Sequence, residues 1–239
     1  MTGHNRFKGI IFDKDGTLFD FQSTWSPMMT TLLNELCGGD RECSRQKGQL
    51  LGFDLDNGLY LPESPFIAGT PEQFVEQLLV LFKDWSEMEL IRLVNKITKD
   101  TEQVEVVSLE PFLTKFQKAG YALGVATNDS KEDAIKQLDE KGILKYFDFL
   151  AGFDSGYGSK PDPDMLLAFC QQTRIQPAET VMVGDSKSDL LAGKRAGMFT
   201  VAVLSGVAKS EDLAQHANLI IRDVGGLWDG LNRKFQLNP

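Results

Sequence analysis

The sequence predicts an α/β fold built on a parallel sheet, with a helical block inserted after the first strand. Three observations carry this reading. From Gly120 onward, short apolar runs alternate with helical stretches. One further apolar run, Gly9–Phe12, stands alone near the start. Between the two lies a long stretch with helical periodicity and two capping boxes. Strand and helix in repeated alternation make a layered fold in which helical crossovers keep the strands parallel.

Taken in chain order, Gly9–Phe12 is the first strand. The block from about Phe19 to Val107 then reads as helical. Ser26-Pro27 opens a helix carrying Met28, Met29, Leu32, Leu33 and Leu36, and Gly38-Gly39 stops it. Leu51 to Gly69 reads as loop, with Asn57-Gly58 a strong turn. Thr70-Pro71-Glu72-Gln73 and Ser86-Glu87-Met88-Glu89 have the spacing of capping boxes, the first with proline at the first helical position. Behind them Phe74, Val75, Leu78, Leu79 and Phe82, then Leu90, Ile91, Leu93, Val94 and Ile97, recur at helical spacing.

Past Gly120 the runs Tyr121–Thr127, Phe147–Gly152, Thr180–Gly184, Thr200–Leu204 and Asn218–Ile221 read as buried parallel strands. Helices Ser130–Lys141, Asp162–Thr173 and Ser186–Ala196 lie between them, each opening on a residue suited to an N-cap. Gly142 and Gly197 follow two of these helices, where a left-handed cap favours glycine.

Composition excludes several functions. A formal net charge of −9 on 239 residues argues against nucleic acid and against an anionic membrane, both of which call for lysine and arginine. The densest apolar run, Leu78 to Phe82, is far short of the roughly 18 residues of a membrane helix. The polar start, Met1 to Lys8, has no apolar signal region behind it, which favours the cytoplasm. Cys37, Cys43 and Cys170 are read as reduced thiols, because cytosolic disulfides are rare and no Cys-x-x-Cys clamp is present. The two histidines, His4 and His216, sit in no motif, so histidine catalysis and zinc ligation are both disfavoured.

Chemistry-bearing residues gather where strands end. Asp13-Lys14-Asp15-Gly16-Thr17-Leu18 follows Gly9–Phe12, and catalytic groups in open α/β sheets collect at the carboxyl ends of strands. Asp-Gly is also an ordinary turn. Val125-Ala126-Thr127-Asn128 ends a second strand with a hydroxyl and an amide able to bond a phosphoryl oxygen, although Asn128 or Ser130 also suits a helix cap. Ser159-Lys160-Pro161-Asp162-Pro163 holds one lysine in a segment stiffened by proline. Val183-Gly184-Asp185-Ser186-Lys187-Ser188-Asp189 ends another strand with two carboxylates, of which Asp189 also completes a short capping box with Ser186.

Together these segments resemble the four motifs of the haloacid dehalogenase-like phosphatase superfamily. They stand in that family's order as Asp13-x-Asp15-Gly16-Thr17-Leu18, Thr127-Asn128, Lys160-Pro161-x-Pro163 and Gly184-Asp185-x-x-x-Asp189. The helical block after the first motif resembles the branch with a helical cap, which contains phosphoglycolate phosphatases, pyrophosphatases, phosphonatases and β-phosphoglucomutases. The resemblance implies a Rossmann-like core from residues 1–18 and 108–239, and a mobile cap from residues 19–107.

It further implies a phosphatase for a small phosphorylated metabolite, with the mutase, phosphonatase and pyrophosphatase as alternatives. Asp13 becomes the nucleophile that carries an aspartyl-phosphate, and Asp15 the proton donor and later the base. Lys160 and Thr127 complete the catalytic set, and Gly16, Thr127, Asn128 and Lys160 bind the phosphoryl group. Mg²⁺ is the expected cofactor, held by Asp13, the Asp15 carbonyl and Asp185, with Asp189 either a direct ligand or placed just behind them. An ionised carboxylate attacks phosphorus without needing a base, and hard oxygen ligands suit magnesium.

Overall fold

The computed structural model describes residues 6–99 and 101–235. In chain order the elements are β1 (Gly9–Phe12), α1 (Phe21–Leu36), α2 (Arg41–Leu50), β2 (Phe53–Asp54), β3 (Leu59–Tyr60), α3 (Pro71–Leu81), α4 (Glu87–Lys99) and α5 (Leu109–Lys118). There follow β4 (Ala122–Ala126), α6 (Lys131–Glu140), β5 (Phe149–Ala151), α7 (Asp164–Thr173), β6 (Thr180–Gly184), α8 (Lys187–Ala196), β7 (Phe199–Val203), α9 (Ser210–Ala214), β8 (Leu219–Ile221) and α10 (Leu227–Phe235). The chain divides into two compact units, Met1–Asp20 with Glu105–Pro239, and Phe21–Val104.

The first unit is a six-stranded sheet in the order β5-β4-β1-β6-β7-β8, parallel throughout. All four residues of β1 are buried, as a strand covered on both faces requires. Period-two alternation sends its side chains into two separate cores. Ile10 and Phe12 join Leu123, Val125, Val181 and Val183 in the layer that holds Leu113 and Phe116 of α5 and Leu227 of α10. Ile11 joins Ala126 and Met182 in the opposite layer, with Phe169 of α7 and Ala192 of α8. The Phe169 ring is admitted by two glycines: a Cβ at Gly9 or Gly124 would stand 2.8 or 2.7 Å from it. Because β1 lies between β4 and β6, the carboxyl ends of these three strands are neighbours.

Phe19 belongs to the sheet unit. It is fully buried, and its carbonyl accepts from the Gly16 N–H at 2.7 Å, closing the loop after β1.

In the second unit, α1 begins at Phe21 rather than at Ser26, so Pro27 is inside the helix. An interior proline costs about 3 kcal/mol. The extra turn buries Phe21 and Trp25. Aromatic side chains bury about 150–250 Å² each, and at about 25 cal/mol per Å² two of them outweigh that cost. Helix α2, which periodicity alone does not announce, is started by Asp40; its carboxylate accepts from the Glu42 and Cys43 N–H groups at 2.9 and 3.1 Å.

Cys37 and Cys43 form a disulfide, which corrects the expectation of reduced thiols there. Gly38 and Gly39, at φ 59° and 82°, reverse the chain, and the Asp40 cap starts α2 at once. The Cα atoms therefore come within 5.8 Å, inside the range a disulfide spans. Cys170 keeps its thiol, buried against Thr180.

The stretch expected to be loop contains the hairpin β2–β3, turned by Asn57-Gly58. The Asp54 carboxylate accepts from the Asp56 and Asn57 N–H groups, both at 3.1 Å. Both capping boxes close: Gln73 and Glu89 reach back to the Thr70 and Ser86 N–H groups at 3.0 and 2.9 Å.

Candidate active site

The loops leaving β1, β4 and β6 and the segment before α7 bring the expected residues of the sheet unit together. The Asp13 N–H extends the ladder by donating to the Val183 carbonyl at 2.9 Å, which fixes the nucleophile candidate beside β6. Its side chain meets Lys160, whose Nζ lies 2.5 Å from Asp13 Oδ1 and 2.6 Å from Asp189 Oδ1. Both ends of the Asn128 amide engage the lysine's backbone: Oδ1 accepts from the Lys160 N–H at 2.8 Å and Nδ2 donates to its carbonyl at 3.0 Å. The structure thus records Asn128 steadying the lysine. Thr127 is buried, and its hydroxyl accepts from the Asp129 N–H at 3.0 Å.

Asp189 serves two elements at once. Oδ2 accepts from the Ser186 N–H and hydroxyl at 3.0 and 2.6 Å, forming the capping box that starts α8. Oδ1 takes Lys160. Gly184 allows this approach, since a Cβ there would stand 2.2 Å from the Asp189 Cβ. The Asp15 carboxyl lies elsewhere, 2.7 Å from the ammonium of Lys14.

Asp13, Asp185 and Asp189 can each offer an oxygen within 4.8 Å of the others. Burial pushes the Asp13 carboxyl up to about 7; Lys160 pulls it back, while Asp189 and Asp15 push with burial. Asp185 is driven well above the usual carboxylate range by burial, then by Asp13 and Asp189. Burial works to lower Lys160, but Asp13 and Asp189 outweigh it and hold the ammonium charged. Three buried acids therefore share one cation.

The donor set fits a hard divalent ion. Its side chains are all carboxylates, the ligand type magnesium prefers. The Thr17 hydroxyl donates to Asp185 Oδ1 at a long 3.4 Å. Asp185 also lies in a cradle of two glycines: a Cβ at Gly16 or Gly206 would stand 2.4 or 1.8 Å from its Oδ2. Gly16, at φ 83°, also needs the left-handed region that other residues avoid.

Sequence reading overlooked three contributors. Gly206 and Ser205, whose hydroxyl donates to the Gly16 carbonyl at 2.7 Å, follow β7. The signal was there: Ser-Gly after a fifth apolar run is another strand end. The third is Lys14, which is fully buried although nothing in its spacing signals this.

A family model for haloacid dehalogenase-like hydrolases matches residues 10–203. The phosphoglycolate phosphatase of Psychrobacter arcticus is 28% identical over 230 residues, covering 96% of this chain and 97% of that one. The pyrophosphatase PpaX of Bacillus velezensis is 26% identical over 211 residues, covering 88% and 89%. Among solved structures, the β-phosphoglucomutase of Clostridium difficile superposes with a TM-score of 0.63 at 20% identity, covering 96% and 99%, a likeness of fold.

Proposed function

The chain belongs to the haloacid dehalogenase-like hydrolases and is a phosphatase, and from that premise we propose that it hydrolyses a small phosphomonoester, phosphoglycolate-like or a sugar phosphate, through an aspartyl-phosphate on Asp13. The observation that carries the reading is the convergence of Asp13, Asp185 and Asp189, with Lys160 bridging Asp13 and Asp189.

Asp13 attacks phosphorus with a carboxylate oxygen as the bond to the leaving alkoxide breaks. Asp15 gives that oxygen its proton, then takes one from the water that cleaves the aspartyl-phosphate and releases inorganic phosphate. Lys160 lowers the charge that Asp13 and the transferring group would otherwise place together. Asn128 and Asp189 hold the lysine from its backbone and its ammonium. Thr127 binds an equatorial oxygen through its hydroxyl, since the Gly16, Leu18 and Phe19 N–H groups are spent within the loop after β1. Asp13, Asp185 and the Asp15 carbonyl would ligate Mg²⁺, which neutralises the phosphoryl oxygens when bound. Asp189, with both oxygens engaged by Ser186 and Lys160, belongs behind those ligands. The inserted unit, Phe21–Val104, takes the cap's role.

Small metabolites are preferred over nucleic acid or membrane surfaces because the chain is acidic, at −9. Among the described residues no helix is long and apolar enough to cross a membrane. A cytoplasmic site of action suits metabolite chemistry; the Cys37–Cys43 disulfide weighs against a strongly reducing compartment.

The test is a panel of phosphorylated metabolites, with pyrophosphate and β-glucose 1-phosphate plus its bisphosphate included, assayed with Mg²⁺ and with chelator. Free phosphate from monoesters, lost on chelation, is the expected result. Pyrophosphate as the one good substrate, or isomerised sugar phosphate without release, would replace the reading. Acid-quenched turnover should leave a phosphoryl group on the peptide containing Asp13.

A further inference from the structure

We propose that Lys14 is a positioning residue for phosphoryl transfer: its buried ammonium, anchored by Asp129 and Gln137, holds the Asp15 carboxyl where it exchanges a proton with the leaving oxygen. The inference rests on the assignment of Asp15 as proton donor made above.

Lys14 is fully buried, and its Nζ meets three acceptors. They are Asp15 Oδ2 at 2.7 Å, Asp129 Oδ2 at 3.2 Å and Gln137 Oε1 at 2.5 Å. Asp15 and Gln137 make the close contacts, and Asp129 Oδ2 is held at ion-pair distance by charge. The two buried lysines divide the acids between them: Lys160 takes Asp13 and Asp189, and Lys14 takes Asp15 and Asp129.

The anchors come from elsewhere in the sheet unit. Asp129 follows Asn128 after β4 and is tied to Thr127 through its N–H. Gln137 lies on α6 and is itself buried. The Asp15 side chain is 17% exposed, while that of Lys14 is wholly enclosed. The lysine is thus a buried handle on a carboxyl that reaches solvent.

Stability does not account for the arrangement. Desolvating an ammonium is costly, and buried ionic clusters are often no more stable than apolar residues of similar volume. What a buried, ion-paired cluster supplies is a fixed geometry, and a fixed geometry is what a proton donor needs.

The leaving group separates positioning from a merely structural role. An alkoxide needs its proton as the bond to phosphorus breaks, whereas p-nitrophenolate leaves without one. The value kcat/KM reports the step up to aspartyl-phosphate formation, so the later water step does not enter. Lys14→Met should therefore lose about ten- to a hundredfold in kcat/KM with an alkyl monoester and less than about threefold with p-nitrophenyl phosphate, since general acid catalysis contributes about 10²–10⁴. If Lys14→Met fails to fold because Asp129 is left unpaired, Lys14→Met/Asp129→Asn removes both charges and carries the same readout.

Asp15→Asn is the reference. If it shows the selective loss and the folded Lys14 variants lose equally on both esters, or lose nothing, the role given to Lys14 is overturned. If Asp15→Asn itself loses equally on both, the premise fails and takes the proposal with it. Phosphate release by the wild-type enzyme, measured alongside, reports separately on the phosphatase reading.

Discussion

Gly206→Ala isolates the placement of Asp185 from every other feature of the site. A Cβ at this position would stand 1.8 Å from Asp185 Oδ2, 2.5 Å from its Cγ and 2.7 Å from its Cβ. Real contacts of this kind essentially never fall under 3.0 Å, so the carboxylate must yield by about 1.2 Å. Retreat is restricted, because Gly16 is also packed closely against the same carboxylate. A displacement of about 1 Å typically costs about 10²-fold in rate, or about 2.7 kcal/mol of transition-state stabilisation. Gly206 does not sit at positive φ, so the backbone itself is unstrained and the fold should survive.

The assay is phosphate release against Mg²⁺ concentration, with circular dichroism and Tm as controls. Turnover should fall about a hundredfold and half-saturating Mg²⁺ should rise. Gly226→Ala, whose Cβ would meet its nearest neighbour at 3.8 Å, should behave as wild type. A Gly206→Ala enzyme with wild-type turnover and wild-type metal dependence would refute the claim that the glycine cradle positions Asp185 as a ligand.

Four further outcomes are expected. Asp13→Asn should fold normally and retain no more than a few per cent of turnover, with no phosphoryl-enzyme on acid quench; substantial residual activity would count against the covalent route. Asp13 sits at about 7 in the metal-free protein against an ordinary 3.8. The folded state thus binds more protons than the unfolded one between those values, and this group's stabilising contribution is lost as pH rises through about 7. Added Mg²⁺ must displace that proton, so the Tm gain from Mg²⁺ should grow between about pH 5 and about pH 8, and a flat gain would contradict the assignment. Ca²⁺, which prefers a larger and looser oxygen shell, should bind yet inhibit turnover. Alkylation of the denatured, unreduced protein should label Cys170 alone, and all three cysteines after reduction; three labels without reduction would exclude the disulfide.

The sheet was legible because its central strands are covered on both faces and so read as apolar runs. Thr180–Gly184 is read in full, and Phe199–Val203 within one residue at each end. Capping boxes located α3 and α4 for a similar reason: their hydrogen bonds are local in sequence. What escaped was set by contacts distant in the chain. Ser-Pro signals a helix start at Ser26, yet burial of Phe21 and Trp25 extends α1 past the proline. Cys37 and Cys43 meet because two glycines and a cap turn the chain between them. At the candidate site, the four motif segments stood in order at strand ends, so Asp13, Lys160, Asp185 and Asp189 could be named. The use of Asn128 on a backbone 32 residues away, and of Gly206 beside Asp185, depends on the strand order and could not be read from spacing.

The double duty of Asp189 ties catalysis to local opening of the fold. One of its oxygens closes the first turn of α8 and the other holds Lys160. Fraying of that turn therefore strips the lysine of one of its two carboxylate partners. Helix ends ordinarily open far more readily than the sheet beneath them, but Ser186 and Asp189 are both buried here. Amide exchange at these two positions would thus track the fraction of molecules holding a competent lysine. A solvent or temperature change that accelerates exchange there should lower activity before the sheet begins to melt.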